Sequence, residues 1–260
     1  MRTSKQRIAA LLAMVMLTSG LSGCALLHFD DPAEIKAQEE ELAKQQNVEL
    51  PDVQALLDPE HLVMDAVLKD ASGKEIARYQ ACFPYFEAGD NAALQNINQY
   101  YEGEFGHLSG DKDRFFQLAQ EKPTQSVHSS SFDYELLKGE ASRVAVLRSF
   151  ESIDSLGESG KLYTCELFSA ATGLRLKFTD IFSSDSKGAV KTLRAELADW
   201  CADKAYDTAW LDGLTDELLC ENFTLDADTL YIGFDKNTLP GGETLVELDL
   251  ETFMPYMGSK

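Results

Sequence analysis

The residue whose surroundings most clearly indicate chemistry is Cys24, which follows Leu21, Ser22 and Gly23. Small residues before a scissile bond let an extended chain enter a signal peptidase. The cysteine thiol is the nucleophilic side chain in this segment that can take a thioether-linked diacylglycerol. One acyl chain gives only marginal, reversible membrane binding, whereas two anchor a protein stably. The pattern therefore predicts cleavage after Gly23 and lipidation of Cys24.

The residues before Cys24 have the composition of an export signal. Arg2, Lys5 and Arg7 give it a positive start, and an apolar stretch follows over residues 8–20. This stretch is shorter than the roughly 20 residues that a membrane-spanning helix needs. With the last four residues, the segment resembles the signal peptide and lipobox of bacterial lipoproteins. An ordinary secretory signal with an incidental cysteine is the alternative. We expect a protein anchored by lipidated Cys24 to the extracytoplasmic face of the cell membrane.

No pattern typical of catalysis or metal binding is present in the sequence. His28, His61, His107 and His128 are isolated from one another, so the paired histidines of zinc enzymes are absent. The glycine-rich phosphate loops and the Gly-x-Ser-x-Gly elbow of hydrolases are also missing. We therefore expect no catalytic residue, no metal site and no cofactor. A hydrolase that uses dispersed carboxylates is the rival hypothesis, because an acidic chain brings carboxylates together by chance.

Four cysteines follow the lipidation site: Cys82, Cys165, Cys201 and Cys220. An even number outside the cytoplasm permits two disulfides, with three possible pairings. Because Cys82 and Cys165 both fall in predicted strands, buried unpaired thiols are the alternative. No Cys-x-x-Cys pair is present, so neither a structural zinc site nor thioredoxin-like chemistry is indicated.

The charge of the chain restricts its partners. The 260 residues carry a formal net charge of −21, and removal of the three positive charges before Cys24 lowers it to −24. Such a surface repels the phosphate backbone, so nucleic acid is not expected as a partner. A cationic protein or peptide is favoured electrostatically. Acidity also improves solubility, which is the alternative explanation.

The apolar pattern predicts a spacer followed by an α+β fold. Residues 31–46 hold good helix formers but few large apolar side chains, which is typical of a solvated tether. Strands are predicted at 61–70, 75–83, 132–137, 143–153, 161–170, 174–178, 222–225, 229–234 and 244–248. Helices are predicted at about 90–105, 113–120, 187–203 and 209–220. Strands joined by hairpins, with helices between the groups, favour a largely antiparallel sheet with helices packed on it.

We expect four segments along the chain. They are a signal peptide at 1–23, the lipidated cysteine with an acidic tether at 24–58, and two sequential α+β half-domains at 59–154 and 155–260.

A run of aromatic residues marks one candidate binding surface. Tyr79, Phe83, Tyr85 and Phe86 alternate within a strand-like segment, so some are expected to point outward. Packing in the core or at an edge is the ordinary interpretation. The functional hypothesis is that Tyr79, Tyr85 and Phe86 form a patch that stacks on glycan or anchors a protein partner.

Several short motifs occur in order through the folded region. Residues 79–98 combine an aromatic-proline sequence at a strand end with Ile97-Asn98 on a helix. Thr172-Gly173 and then Asp180-Ile181-Phe182 follow, before closing strands at 230–248. Their order and spacing resemble a paired domain of unknown function found in extracytoplasmic lipoproteins. The same pair lies beside the catalytic domain of some peptidoglycan deacetylases and forms the outer part of RsiV, a lysozyme-sensing anti-sigma factor.

The resemblance covers about residues 60–257 and implies an α+β fold, an extracytoplasmic setting and envelope sensing or binding. One departure concerns a Gly-Gly-Ala-His segment that many members carry before the Thr-Gly turn. This chain has Gly-Glu-Ser-Gly-Lys at 157–161 instead, so a role of that histidine does not carry over. We expect a non-catalytic domain that binds cell wall, glycan or a cationic protein. A purely structural or accessory lipoprotein is the remaining alternative.

Overall fold

The structure is a computed structural model, which describes residues 52–122, 126–153 and 159–258. All of these residues belong to one compact unit. The predicted signal peptide and Cys24 lie outside them, as does most of the predicted tether. In the part that is described, no helix is both long enough and apolar enough to cross a bilayer.

Five strands form the larger of two sheets, in the order β1-β2-β3-β4-β5. Their bounds are Leu62–Lys69 (β1), Glu75–Phe83 (β2), His128–Leu137 (β3), Arg143–Ile153 (β4) and Ser159–Ser169 (β5). Strands β2 and β3 run parallel, and the other three neighbouring pairs are antiparallel. The parallel pair follows from the long crossover between these two strands, because a tight hairpin joins only antiparallel neighbours.

A single long helix, α1 (Ala92–Glu121), makes that crossover and covers one face of the larger sheet. The side chain of Asn91 caps it by accepting a hydrogen bond from the Leu94 amide. Leu94, Ile97 and Tyr101 are fully buried and form the apolar stripe of α1 that faces the sheet. The sequence predicts two shorter helices here, at about 90–105 and 113–120. The helix continues instead through the polar middle segment, where buried Leu108 keeps it against the sheet.

Three short strands and several helices cover part of the opposite face. The strands β6 (Phe223–Leu225), β7 (Thr229–Gly233) and β8 (Leu245–Asp249) form an antiparallel sheet in that order. The α-helices are α2 (Phe178–Ile181), α3 (Ser186–Asp203) and α4 (Asp216–Glu221), and 3₁₀ turns span Ala209–Gly213, Pro240–Gly242 and Leu250–Tyr256. Because side chains alternate along a strand, Val144 and Val146 of β4 pack with α1, whereas Ala145 packs with the smaller sheet.

The smaller sheet is attached to the edge of β5 by side chains. Asn222 accepts a hydrogen bond from the Cys165 amide at 2.7 Å and donates one to the Tyr163 carbonyl at 3.0 Å. Thr244 donates to the Lys161 carbonyl at 2.6 Å. Gly233 lies against this junction, where a Cβ would overlap the Asn222 amide. Between Lys161 and Cys165, these outward backbone groups of β5 are therefore bonded by side chains rather than by another strand.

The predicted fold class is confirmed: the described chain is α+β, with two sheets whose strands are mostly antiparallel. The predicted strand at 174–178 is wrong, since only Arg175 forms an isolated bridge there and Phe178 begins α2. The predicted helix at 209–220 divides into a 3₁₀ turn and α4, because Thr215 caps a new helix by accepting from the Leu218 amide. The boundary between half-domains at 154/155 stays a prediction.

Candidate functional site

A groove of about 370 Å³ lies where the uncovered part of the larger sheet meets the smaller sheet. We call it the sheet groove. Its floor comes from β3, β4 and β5, and its wall from β7 and β8. Its polar and aromatic lining residues are Asp133, Tyr134, Glu135, Ser149, Lys161, Tyr163, Tyr231 and Glu247.

Strand register brings these side chains together. Asp133 is paired with Ser149, and Ser149 with Tyr163, so one row of outward side chains crosses three strands. On the wall, Tyr231 is paired with Glu247. Because directly paired residues place their Cβ atoms about 5 Å apart, each row presents a continuous surface to a ligand.

The floor of the sheet groove holds a lysine over an aromatic ring. The Lys161 ammonium lies 5.0 Å from the centre of the Tyr163 ring, within the range of a cation–π contact. A hydrogen bond to Tyr163 is the main cause that raises the pKa of Lys161, and the negative charges of Glu151 and Asp133 add to it. The lysine is exposed and stays protonated at physiological pH.

The wall tyrosine is fixed by a hydrogen bond. The Tyr231 hydroxyl donates to a carboxylate oxygen of Asp226 at 2.9 Å. Burial, followed by this hydrogen bond, raises the pKa of Tyr231 to about 12, so the phenol stays neutral at physiological pH. Among the described lining residues of the groove there is no histidine or cysteine. The arrangement offers aromatic rings and acceptor oxygens to a ligand.

A second cluster of titratable side chains lies on the other face of the larger sheet. Both oxygens of its carboxylate are already engaged in hydrogen bonds. Fully buried Glu166 accepts hydrogen bonds from Tyr100 and Tyr101 at 2.6 and 2.8 Å. Arg148 donates to both of its oxygens, at 2.9 and 2.7 Å. Burial alone would lower the pKa of Arg148, but the Glu166 carboxylate outweighs it and the pKa is raised. Glu166 thus fixes α1 to the sheet and has no free oxygen for a substrate.

A smaller cavity of about 230 Å³ lies beside the β3-β4 turn. Arg143 lines it, and one of its terminal nitrogens is buried without a hydrogen-bond partner. Burial lowers the pKa of Arg143, although Glu140 lies 3.7 Å away and opposes this effect. The described lining of this cavity has no aromatic ring, whereas the sheet groove has Tyr163 and Tyr231, so we regard the sheet groove as the candidate site.

The aromatic residues proposed from sequence are not brought together as a surface. Tyr79 is 2% exposed and Phe86 is fully buried, which corrects the expectation for these two. Tyr79 faces α1, where its ring packs 5.8 Å from that of Phe115. Tyr85 is half-buried and stacks on His61 with ring centres 3.6 Å apart. Of the three, only Tyr85 has a surface that a ligand could reach.

All four cysteines within the described residues are free thiols. Strands β3 and β4 lie between Cys82 and Cys165, so about 14 Å separates their strands, whereas a disulfide needs Cα atoms within about 7 Å. Cys201 is buried in α3 and Cys220 is half-buried in α4. Burial raises the pKa of Cys165 and of Cys220 to about 12. The alternative of unpaired thiols therefore describes this structure, and the two-disulfide alternative does not.

The histidines occupy separate places. His61 precedes β1 beside Tyr85, and His107 lies on the exposed side of α1. His128 is buried at the start of β3, where a ring nitrogen lies 3.1 Å from the Lys122 carbonyl. Across residues 52–122, 126–153 and 159–258, no three His, Cys, Asp or Glu side chains are grouped to hold a metal ion.

The motif residues that carried the family resemblance have structural roles here. Asn98 is buried and bonds both the amide and the carbonyl of Phe86, at 2.9 and 2.8 Å, which fixes the loop after β2. Gly173 has a φ of 68°, and a Cβ there would overlap the Ala93 carbonyl at the start of α1. Asp180 accepts a hydrogen bond from the Lys177 amide at 2.8 Å and caps α2. The motifs therefore specify the fold rather than a site.

Comparison with known proteins extends this conclusion. No protein-family model matches the chain, and no curated protein sequence matches it. A solved DUF3298 family protein from Bacteroides fragilis is similar at a TM-score of 0.54 and 15% identity, over 78% of this chain and 94% of that one. The chain shares the fold of DUF3298 proteins. A second DUF3298 structure, from Pseudomonas aeruginosa, has a TM-score of 0.54 and 13% identity, over 80% of this chain and 95% of its own. This fold likeness supports the expected resemblance to a domain of unknown function.

Sequence reasoning missed the residues of the sheet groove. Lys161 and Tyr163 lie within a predicted strand, and their alternation places both on one face, which was the available signal. Tyr231 and Glu247 come from strands much later in the chain. Only the attachment of the smaller sheet to β5 brings them beside Tyr163.

Proposed function

We propose that this chain is a bacterial envelope lipoprotein whose folded domain binds a ligand without catalysing a reaction. Lipidated Cys24 holds it on the extracytoplasmic face of the membrane, and the sheet groove is the binding site. The lipoprotein part rests on the export signal and lipobox in residues 1–24. The proposal that the domain binds a ligand rests on one observation: the sheet groove brings aromatic rings and acceptor oxygens together on paired strands.

Two features support a binding role over a catalytic one. The groove is built on paired strands, whose backbone is already in place before a ligand arrives. The most deeply buried carboxylate, Glu166, is used fully in joining α1 to the sheet. A hydrolase that uses dispersed carboxylates remains the rival, and it predicts product release from cell-wall material.

Binding can be tested with the full-length protein in a non-ionic detergent. Purified peptidoglycan and lysozyme, a cationic protein, are offered separately at low and at moderate salt. We expect saturable binding to one of them and no release of soluble wall fragments. The variant Tyr231→Ala should weaken that binding, because it removes the ring that forms the groove wall.

The control variant is Glu102→Gln, which changes an exposed carboxylate on α1, on the other side of the larger sheet. It should bind as the parent does. Release of wall fragments would support the rival hydrolase, and absence of binding to either ligand would support a purely structural lipoprotein.

The anchor is tested by itself in cells. The parent protein should take up labelled palmitate and fractionate with membranes, whereas Cys24→Ser should do neither. Equal labelling of the two proteins would remove Cys24 as the lipidation site.

A further inference from the structure

We infer that the ligand of the sheet groove is a cationic side chain, an arginine or a lysine, carried by an extended segment of a basic protein. This inference rests on the proposed function and adds the chemistry of the ligand.

A segment can approach the groove because the sheet beside it is uncovered. On the side away from α1, Val63, Asp65 and Val67 of β1 are exposed, and so are Gln80 and Glu151 on β2 and β4. This face continues across the strands to the sheet groove, since Glu151 is paired with Lys161 of its floor. An extended chain therefore has a flat approach that ends at the tyrosines.

The charges at the groove favour a cation. Asp133, Glu135 and Glu247 contribute three exposed carboxylates, against the single ammonium of Lys161. On the same face of the larger sheet, the guanidinium of Arg78 is already held by Glu75 at 3.0 Å and by Asp65 at 3.3 Å. The groove thus has an excess of negative charge, in a chain whose net charge is also strongly negative.

The Tyr163 ring shows how the cation would be held. Its face already accepts the Lys161 ammonium at 5.0 Å, on a side chain that is exposed and can move aside. An arginine would make a better partner, because its planar guanidinium stacks on a ring and bonds a carboxylate with two nitrogens at once. Lys161 is then a competitor for the same ring.

A neutral glycan fits these observations less well. Its rings could stack on Tyr163 or Tyr231, but it gains nothing from the excess of carboxylates. An anionic wall polymer would be repelled by them. The cationic segment uses both the rings and the charges, so it is the ligand class that we propose.

The test uses the full-length protein in non-ionic detergent and labelled eight-residue peptides in which serine alternates with arginine, lysine or citrulline. Citrulline keeps the shape of arginine but has no charge. We expect the arginine peptide to bind more tightly than the lysine peptide, and both to bind at least about tenfold more tightly than the citrulline peptide. Binding of the charged peptides should weaken as salt is added.

Groove variants distinguish this site from general attraction to an acidic protein. The double variant Glu135→Gln, Glu247→Gln should bind the arginine peptide about tenfold more weakly than the parent does. Tyr163→Leu should weaken it while Tyr163→Phe, which keeps the ring, should not. Lys161→Met should tighten binding, because it removes the competing cation.

Matched controls carry the same charge changes elsewhere. The pair Glu102→Gln and Glu217→Gln, on α1 and α4, and the single variant Lys187→Met on α3 alter exposed residues outside the groove, and both should leave affinity near that of the parent.

Equal binding of the citrulline peptide, or equal effects of groove and control variants, would overturn the inference. Displacement of the arginine peptide by a chitin oligosaccharide would overturn it as well, and would point to glycan. If peptidoglycan binds and no peptide does, the proposed binding function stands while its cationic ligand is rejected. If nothing binds, both are rejected.

Discussion

Replacing Glu166 with glutamine should destabilise the protein strongly, because it leaves Arg148 buried without its counter-charge. The Glu166 side chain is fully buried and that of Arg148 is only 12% exposed. The carboxylate accepts four hydrogen bonds, two from tyrosine hydroxyls and two from the guanidinium. A glutamine amide has one acceptor oxygen and would turn an NH₂ group toward other donors.

The expected cost is about 3–5 kcal/mol, the range for breaking a buried ion pair by removing one partner. Folded domains are stable by about 5–15 kcal/mol in total, so this is a large fraction. With a urea dependence of about 2–3 kcal/mol per molar, the unfolding midpoint should fall by roughly 1–2.5 M.

The assay is urea unfolding of the chain from residue 25 onward, followed by circular dichroism and by tryptophan fluorescence. Arg148→Met is measured alone and together with Glu166→Gln. Each single substitution leaves the other partner buried and unpaired. The loss in free energy of unfolding for the double variant should therefore be smaller, by at least about 2 kcal/mol, than the sum of the losses for the two single variants.

Additive losses, or a Glu166→Gln midpoint within error of the parent, would refute the view that this pair joins α1 to the sheet. Asp65→Asn is the matched control, since it breaks an ion pair with Arg78 on the exposed face. Its unfolding midpoint should stay near that of the parent, because exposed pairs are screened by water.

Two further predictions concern Gly173 and the thiols. Gly173→Ala should cost about 3 kcal/mol in the same unfolding assay, since alanine disfavours a positive φ and its Cβ would push into the Ala93 carbonyl; an unchanged midpoint would contradict this close approach. The unreduced chain from residue 25 onward should release four titratable thiols in denaturant, while Cys165 and Cys201 stay unlabelled in the native protein because both are fully buried. Fewer than four thiols would indicate a disulfide.

The strands were predictable wherever apolar and polar residues alternate and turn residues follow. The predicted span 143–153 coincides with β4, and the Asp70–Lys74 turn closes the first hairpin through Asp70, which accepts from the amides of Ser72 and Lys74. Residues 174–178 show where alternation of apolar and polar residues fails to predict a strand. Leu174 and Leu176 alternate as in a strand, yet they only exchange single backbone hydrogen bonds with β5 before Asp180 caps a helix.

Pairing between distant segments was not predictable from the pattern. The parallel contact of β2 with β3 depends on the length and direction of α1, which a periodicity does not encode. The aromatic segment at 79–86 was misjudged for the same reason. Tyr79 lies on the side of β2 that α1 covers, so a residue that alternation alone could place on either face is buried. The sheet groove also depends on contacts between segments that are distant in the chain, so it could not be predicted from the sequence.

The way in which Asn222 closes the edge of β5 has a consequence for self-association. An open strand edge is a template on which a second molecule can add its own strand, and growth of that kind leads to aggregates. Asn222 occupies the place of a neighbouring strand, because its side-chain amide bonds an N–H and a C=O of β5. Among the described strands of the larger sheet, the only edge left open is β1, whose pairing shifts register at Leu68 and Lys69. Molecules crowded together on one surface could therefore not extend into an endless sheet, because each has one end of its larger sheet blocked.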